Sequence, residues 1–357
     1  MGLIIEEGNQ SRNRYSKYLG KDLSYDTNLG NELFAIGVDV GGTKISSAII
    51  SSKGKIVFRI EEPTIQGDTT DLMLQIAKLI QKGLDRSETN GLNIKGIGIA
   101  CATLVEKYDD KIEWETNIPQ IQGSVLTTWL QENLSKSLPI FAVHDHVTPI
   151  LGEEWVGVAR ETKNAIYIIL GTGIGSSILL DGKPYDGVGG LAGSIGWTLL
   201  GPSFMNKVYD EGCFESFCSG TGIARRVIEE ICRGSKTILT DMVNNDINMI
   251  TSELIFEATR KGDPLALKIV QETAVYIGIV VSNLISTLAP EIVVIGGGVG
   301  QSANLFLDRV IEIVTHYSQC YLAKKVEEGE IKILPSSLGG DASLYGAAKL
   351  VFMFTDE

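Results

Sequence analysis

A chain of 357 residues with 44% hydrophobic and 21% charged residues, a mean hydropathy of +0.13 and a net charge of −13 has the composition of a globular protein. It is long enough for two core-bearing units of roughly 100–200 residues each. The negative charge excludes broad contact with nucleic-acid phosphates, which needs clustered Lys and Arg. No unbroken apolar run approaches the ~20 residues of a membrane span, so neither a nucleic-acid nor a membrane partner is expected. The opening "MGLIIEEGNQSRNRY" lacks a basic segment followed by an apolar core, and Glu6 stands where a myristoylation motif needs Ser or Thr, so a cytoplasmic location is the expectation. Five scattered cysteines without a CxxC pair suit reduced thiols rather than a disulfide framework.

Residues 1–32 are polar and without sustained periodicity, and read as an N-terminal extension. From Phe34 the pattern changes: "FAIGVDV" predicts a strand, "GGT" a tight turn, "KISSAII" a second strand, "SSKGK" a hairpin turn and "IVFRIEEP" a third strand. In "TTDLMLQIAKLIQKGLDRS", Leu72, Ile76, Leu79, Ile80 and Leu84 recur at helical spacing, with Thr69, Thr70 or Asp71 as the expected N-cap; "IKGIGIA" then predicts another strand. The second half repeats this outline. "AIYIILG" is an apolar strand, "TGIG" a glycine turn, "SSILL" a strand and "DGK" a hairpin turn. After long helical stretches, "EIVVIGGG" reads as a buried strand whose terminal turn leads into the helix of "SANLFLDRVIEIV". A weak match between "GVDVGGTKISSAIISSKGK" and "LGTGIGSSILLDGKP" suggests a duplicated unit with a cleft between the copies.

Three glycine turns end strands: Gly41-Gly42-Thr43, Gly171-Thr172-Gly173 and Gly296-Gly297-Gly298. Glycine admits backbone angles closed to other residues and lets main-chain N–H groups approach an anion; a neighbouring Thr hydroxyl adds a donor. Any one such turn alone is ordinary hairpin chemistry. Three together, with Asp39 just before the first and Lys44 just after it, favour a nucleotide held between two units. No GxxxxGK[ST] or GxGxxG stretch is present, which disfavours the P-loop and dinucleotide folds.

With these motifs the sequence resembles the ROK family of sugar kinases and related repressors, within the actin and hexokinase fold. "GVDVGGTK" is similar to the family's first phosphate motif, "LGTGIGS" to its second, "NLISTLAPEIVVIGGGV" to its adenosine-side motif and "LGGDASLYGAA" to its closing helix; "GVGGLAGSIGW" and "EGCFESFCSGTGI" align with the signature between them. The resemblance implies an α/β fold of two ribonuclease H-like lobes with an interlobe cleft. The expected lobes are 33–142, completed by a C-terminal helix in 338–357, and 143–337. It implies ATP and Mg²⁺ as cofactors, a small sugar-like substrate, and a homo-oligomer, most simply a dimer. "VHDHVTPILGEEWVG" places Asp145 on the family's catalytic base, and a carboxylate between a strand end and a helix start suits proton acceptance from an attacking hydroxyl. Asp39 would hold Mg²⁺ directly or through water, and the glycine turns would bind phosphates. Lys44 either adds positive charge or is a solvent-facing strand lysine. A metal at His144-x-His146 would serve a hydrolase only with further ligands, and the one other histidine, His316, lies in a helical stretch.

The acceptor side departs from the family pattern. Sugar kinases of the family carry Glu-x-Gly-His in the loop where Ser194 and Trp197 stand; Asn precedes the base where His144 stands; a Pro-Gly pair becomes Ala100-Cys101. Only Asn117 matches the family's sugar-binding Asn. Several altered polar groups imply a different acceptor, because a pocket built for one hydroxyl pattern leaves its groups unpaired with another. An amino sugar, a cyclitol or another non-standard hexose fits this expectation. Trp197 either stacks on a ring face or fills the core. The family's structural zinc uses the loop His and three Cys; with Trp197 in place of the His and only Cys213 retained, no zinc is expected, and Cys218 reads as a packed residue. The alternatives are a catalytically silent sugar sensor, or a DNA-binding regulator, against which the segment before Phe34 offers no pair of amphipathic helices.

Overall fold

The structure, a computed structural model, describes residues 32–101, 103–105, 112–115, 125–201, 204 and 211–355. Residues 1–31 and Asn117, for which expectations were formed, lie outside these. The first sheet contains β1 (Leu33–Val40), β2 (Lys44–Ser51), β3 (Ile56–Pro63), β4 (Asn93–Cys101) and β7 (Ile140–His144), in the order β3-β2-β1-β4-β7. Helix α1 (Thr69–Thr89) follows β3; a separate two-stranded ribbon, β5 (Thr103–Val105) with β6 (Ile112–Glu115), and helix α2 (Leu126–Asn133) lie between β4 and β7. Helix α3 (Thr148–Val156) leads to the second sheet, made of β8 (Ala165–Leu170), β9 (Ile174–Leu180), β10 (Lys183–Pro184), β11 (Ile292–Gly296) and β12 (Lys332–Pro335), in the order β10-β9-β8-β11-β12. Between β10 and β11 run α4 (Cys213–Cys218), α5 (Gly220–Cys232), α6 (Leu239–Met242), α7 (Ser252–Arg260) and α8 (Pro264–Leu288). Between β11 and β12 run α9 (Gly297–Gly300), α10 (Leu307–Tyr317) and α11 (Cys320–Glu327), and α12 (Ala342–Thr355) closes the described chain.

The duplication suggested by the sequence is present in the strand pairing. In each sheet the first strand pairs antiparallel with the second and the second with the third, while the first pairs parallel with the fourth and the fourth with the fifth. The hairpin pairs Val40 with Ile45 in one copy and Leu170 with Ile174 in the other, so the first turn is one residue longer. Strands β1 and β11 are apolar almost throughout because both faces are covered, as crossover connections require. Leu72, Ile76, Leu79, Ile80 and Leu84 of α1 are buried against β1 and β4, as their spacing predicts. The cap is one residue earlier than expected: the Asp68 carboxylate accepts from Asp71 N–H at 3.0 Å while Asp71 accepts from Asp68 N–H at 3.3 Å, a reciprocal box that Thr69 and Thr70 do not offer.

Helix α8 is long and apolar enough by length and composition to cross a membrane, but 61% of its apolar window is buried inside the protein. Ile269, Val270, Ile277, Val281 and Ile285 pack with Val293 and Ile295 of β11 in the second core, which makes it a core helix. Helix α12 follows the second sheet in sequence yet packs on β1 and β4 of the first and alongside α3. Its seat is made by glycines. A Cβ on Gly98 would stand 1.8 Å from Ala347 O, and one on Gly37 would stand 2.5 Å from Leu344 O. Ala35, Ala48 and Ile50 meet Leu344, Ala348 and Val351 around that contact. Strand β7, the last strand of the first sheet, ends at His144.

Candidate active site

Asp39 is the penultimate residue of β1, flanked in the sheet by Ser46 on one side and Ala100 on the other. The turn after it is braced from two directions: Gly41 N–H donates to Lys44 O at 3.1 Å, Thr64 Oγ1 donates to Gly41 O at 2.6 Å and Thr64 N–H donates to Thr43 O at 3.0 Å. Burial first, and then the negative charge of Asp145, push the Asp39 carboxyl up to about 7; Lys44 opposes this, while Asp341 and Glu61 add to it. The first turn and the residue after β7 thus face one another electrostatically, although more than a hundred residues of sequence separate them. Lys44 is not a free cation: its Nζ lies 2.9 Å from Glu61, which also takes Arg59 at 3.2 Å, and Arg59 bonds Asp341 at 2.7 Å. Hydrogen bonds from Lys44 and then Ser46 hold the Glu61 carboxyl down at about 2.

The second turn has the same build. Gly171 N–H donates to Gly173 O at 3.0 Å, and the start of α5 closes on it, with Gly220 N–H donating to Gly171 O at 2.8 Å and Thr221 Oγ1 to Thr172 O at 3.4 Å. From there an open hollow of about 550 Å³ runs along α5, lined by Thr221, Ala224, Arg225, Ile228 and Glu229 among others. The third glycine run differs. A Cβ on Gly296 would overlap the Tyr167 hydroxyl at 1.8 Å, and Gly297 has φ +80° with Leu170 O 2.4 Å from a Cβ position, so packing alone demands glycine at both. Gly298 has nothing within 4 Å and is the member that faces open space.

Asp145 begins a short 3-10 turn, 145–147, that links β7 to α3 and touches β4 and β9. His144 Nδ1 stands 2.9 Å from Asp145 Oδ1, 2.5 Å from His146 Nδ1 and 3.3 Å from His146 N. The rings meet edge to face at 4.1 Å. Burial, with His144 contributing, pushes His146 down to about 4, and its Nε2 is buried without a hydrogen-bond partner. Among the described residues this is the one group of three or more His, Cys, Asp or Glu whose ligand atoms converge, within 4.8 Å of one another.

The loop carrying Ser194 and Trp197 is tied to β9 through Ser176 N–H, which donates to Gly193 O at 2.8 Å. Ser194 Oγ donates to Leu191 O at 2.8 Å. Trp197 is 61% exposed, so it does not fill the core; the loop backbone, not the indole, packs against the second unit. Sequence reasoning missed Glu215. This half-buried α4 carboxylate accepts from Ile174 N–H at 2.6 Å, lies against Gly173 and Gly196, and is pushed up by burial. It therefore joins the second glycine turn to the Trp197 loop. The available signal was an acid inside the largely apolar "CFESFC". Cys213 and Cys218 of α4 are both buried, and burial raises the Cys218 thiol.

The description of the ROK family matches residues 35–353. A glucokinase from Halalkalibacterium halodurans is 32% identical over 323 residues, covering 88% of this chain and 94% of that protein. A xylose repressor from Caldicellulosiruptor bescii is 26% identical over 341 residues, covering 92% of this chain and 82% of the repressor. The crystal structure of a ROK glucokinase from Streptomyces griseus in complex with glucose and AMPPNP superposes with a TM-score of 0.74 at 25% identity, covering 90% of this chain and 99% of that one. The paired five-stranded sheets are those of the actin and hexokinase-like fold.

Proposed function

This chain belongs to the ROK family, and we propose that within it the protein is a kinase that transfers the terminal phosphoryl group of ATP to a hydroxyl of a sugar or sugar-like cyclic polyol. The reading rests on one observation above the others: Asp39 and Asp145 are brought within electrostatic reach of one another at the ends of β1 and β7, with the first glycine turn directly after Asp39. On this reading the lobes are 33–142 with 338–357, and 143–337, and the acceptor and nucleotide meet between them.

The donor set fits a divalent cation. Asp39 is a buried carboxyl whose charged form is disfavoured by its own burial and by three neighbouring acids, which Lys44 offsets only in part, so a cation there would compensate the remaining charge. Asp39 would hold Mg²⁺ directly or through water; the ion supplies charge neutralisation of the phosphate oxygens. With the Gly41 and Gly171 N–H groups closing their turns, the backbone N–H groups of Gly42, Thr43, Thr172 and Gly173 are the ones that bind phosphate oxygens, with Gly298 and the hollow along α5 leaving room for the nucleoside. Asp145 accepts the proton of the acceptor hydroxyl as that oxygen attacks, a task its position at a strand end and its partial exposure of 38% allow. Positioning by the turns supplies much of the remainder, because phosphoryl transfer asks little covalent chemistry of the protein.

On this reading the acceptor is bounded by His144, Ser194, Trp197 and Glu215. An exposed indole in place of the family's loop histidine supplies a flat apolar wall with one N–H donor, which suits a ring face bearing few hydroxyls. A non-standard hexose, an amino sugar or a cyclitol is the substrate class this favours over glucose. An ADP-release assay across these acceptors, with Mg²⁺, tests the reading. The expected outcome is turnover on at least one, abolished by chelation, and a roughly 10²–10⁴-fold fall in kcat for Asp145→Asn with KM little changed. Full activity in that variant, or ATP binding without transfer to any acceptor, refutes the kinase reading in favour of a silent sensor.

A further inference from the structure

We propose that His144, Asp145 and His146 form a site for one divalent transition ion of the zinc class, separate from the magnesium requirement at Asp39. Its occupation shuts down phosphoryl transfer; this second part rests on Asp145 being the base. His144 Nδ1 is approached by Asp145 Oδ1 at 2.9 Å, by His146 Nδ1 at 2.5 Å and by the His146 N–H at 3.3 Å. A neutral imidazole has one N–H and one lone pair, so a single proton cannot satisfy two facing Nδ1 atoms and a carboxylate oxygen together. A cation drawn to two lone pairs and one carboxylate can.

The geometry needs little change. Zinc-class ions hold His nitrogen and carboxylate oxygen at about 2.0–2.2 Å, which puts tetrahedral ligands about 3.3 Å apart. The three ligand atoms already lie within 4.8 Å of one another, so the two close contacts open by less than about 1 Å and the remaining one closes by at most about 1.5 Å. The local fold explains the convergence: His144 ends β7, and the tight turn at 145–147 swings residue 146 back over residue 144 instead of continuing the strand. His144 and Asp145 are 28% and 38% exposed, so the solvent side remains open for water or a further ligand.

The donor set also selects the ion. Magnesium prefers an all-oxygen shell and dehydrates reluctantly, whereas two imidazoles and one carboxylate suit Zn²⁺, Co²⁺, Ni²⁺ or Cu²⁺. A carboxylate engaged as a ligand to such an ion is a weaker base, because the cation draws charge from both its oxygens, and it no longer takes the acceptor's proton readily. The consequence is a kinase whose base is silenced by ions that leave magnesium-dependent nucleotide binding untouched.

The test is Co²⁺ titration of the full chain in magnesium-containing buffer, followed by visible d–d absorption and displacement by Zn²⁺. Bands saturating at one ion per chain are expected, with affinity falling roughly 100-fold or more in both His146→Gln and His144→Gln, each checked for folding by circular dichroism. In the ADP-release assay, Zn²⁺ should inhibit the wild type with the midpoint found by displacement; in His146→Gln that midpoint rises by the same factor, each rate being compared with the same variant's zinc-free rate. Absence of bands, or bands unchanged in both variants, overturns the site. Turnover without bands overturns only the site; bands without turnover support the site and overturn the kinase reading. Saturating bands with unimpeded turnover overturn the coupling between them.

Discussion

Replacing Glu153 by Gln changes one atom in a fully buried side chain, and the structure determines its cost. Oε1 accepts from Ser336 Oγ at 2.5 Å and Leu338 N–H at 3.1 Å, while Oε2 accepts from Ser337 Oγ at 3.0 Å and Val158 N–H at 2.8 Å. All four partners are neutral donors, and no cation shares the site among them. An amide keeps only one acceptor oxygen. Whichever way it is turned, its NH₂ faces one main-chain N–H, at Leu338 or at Val158, that cannot reverse its polarity; the serine hydroxyls can rotate to accept. The loss is one charge-assisted hydrogen bond plus an unpaired buried N–H, about 2–4 kcal/mol, partly offset by the easier burial of a neutral group. We expect a net destabilisation of about 2 kcal/mol in guanidinium unfolding, followed by far-UV circular dichroism and tryptophan fluorescence with a common m value. A change below about 0.5 kcal/mol, or a gain, would refute the view that this carboxylate fastens α3 to the segment between β12 and α12.

Trp197→Ala should leave stability within about 0.5 kcal/mol, since the ring is exposed, yet raise the acceptor KM about 3–10-fold with kcat nearly constant; an unchanged KM removes the indole from the acceptor wall. Gly297→Ala forces a Cβ onto Leu170 O at φ +80° and should cost about 1–3 kcal/mol in the same unfolding assay, whereas Gly298→Ala, with open space around it, should cost little stability but raise the KM for ATP. Glu215 is pushed above its ordinary value by burial, so the unfolded chain releases that proton first as pH rises through the ordinary range. Stability contributed at this position therefore falls with rising pH until the folded carboxyl also ionises. Glu215→Gln should unfold at higher denaturant than the wild type at neutral pH, with the difference shrinking toward pH 4.5; a difference independent of pH would refute the assignment.

Local chemistry made the strands, the glycine turns and α1 readable from the sequence, because hydrophobic period and turn residues act over a few positions. The duplicated hairpins were visible as a weak repeat for the same reason; that the first turn is one residue longer is set by the strand register. What escaped was set by distance along the chain. Arg59 meets Asp341 across 282 positions, and nothing near Lys44 indicates that Glu61 already engages it. Glu215 approaches the second turn from α4, 41 residues on, through a backbone N–H that carries no sequence signature. Gly296 and Gly297 read as nucleotide contacts, yet Tyr167 and Leu170 of the neighbouring strand already require glycine there. His144 looked like a substituted Asn; that its Nδ1 lies between an acid and a second imidazole depends on how sharply the chain turns after β7.

The seating of α12 bears on the order in which a ribosome delivers this protein. The first sheet is translated early, but the face presented by Gly37, Ala35, Ala48 and Gly98 has its cover in residues 342–355. Until those residues leave the exit tunnel, the early-made half shows an uncovered apolar surface while the intervening two hundred or so residues are synthesised, on the order of 10–40 s at about 5–20 residues per second. The later-made half, whose core draws on residues 166–333, can close before it. The half made first is therefore finished last, and the nascent chain is most in need of a chaperone during that interval.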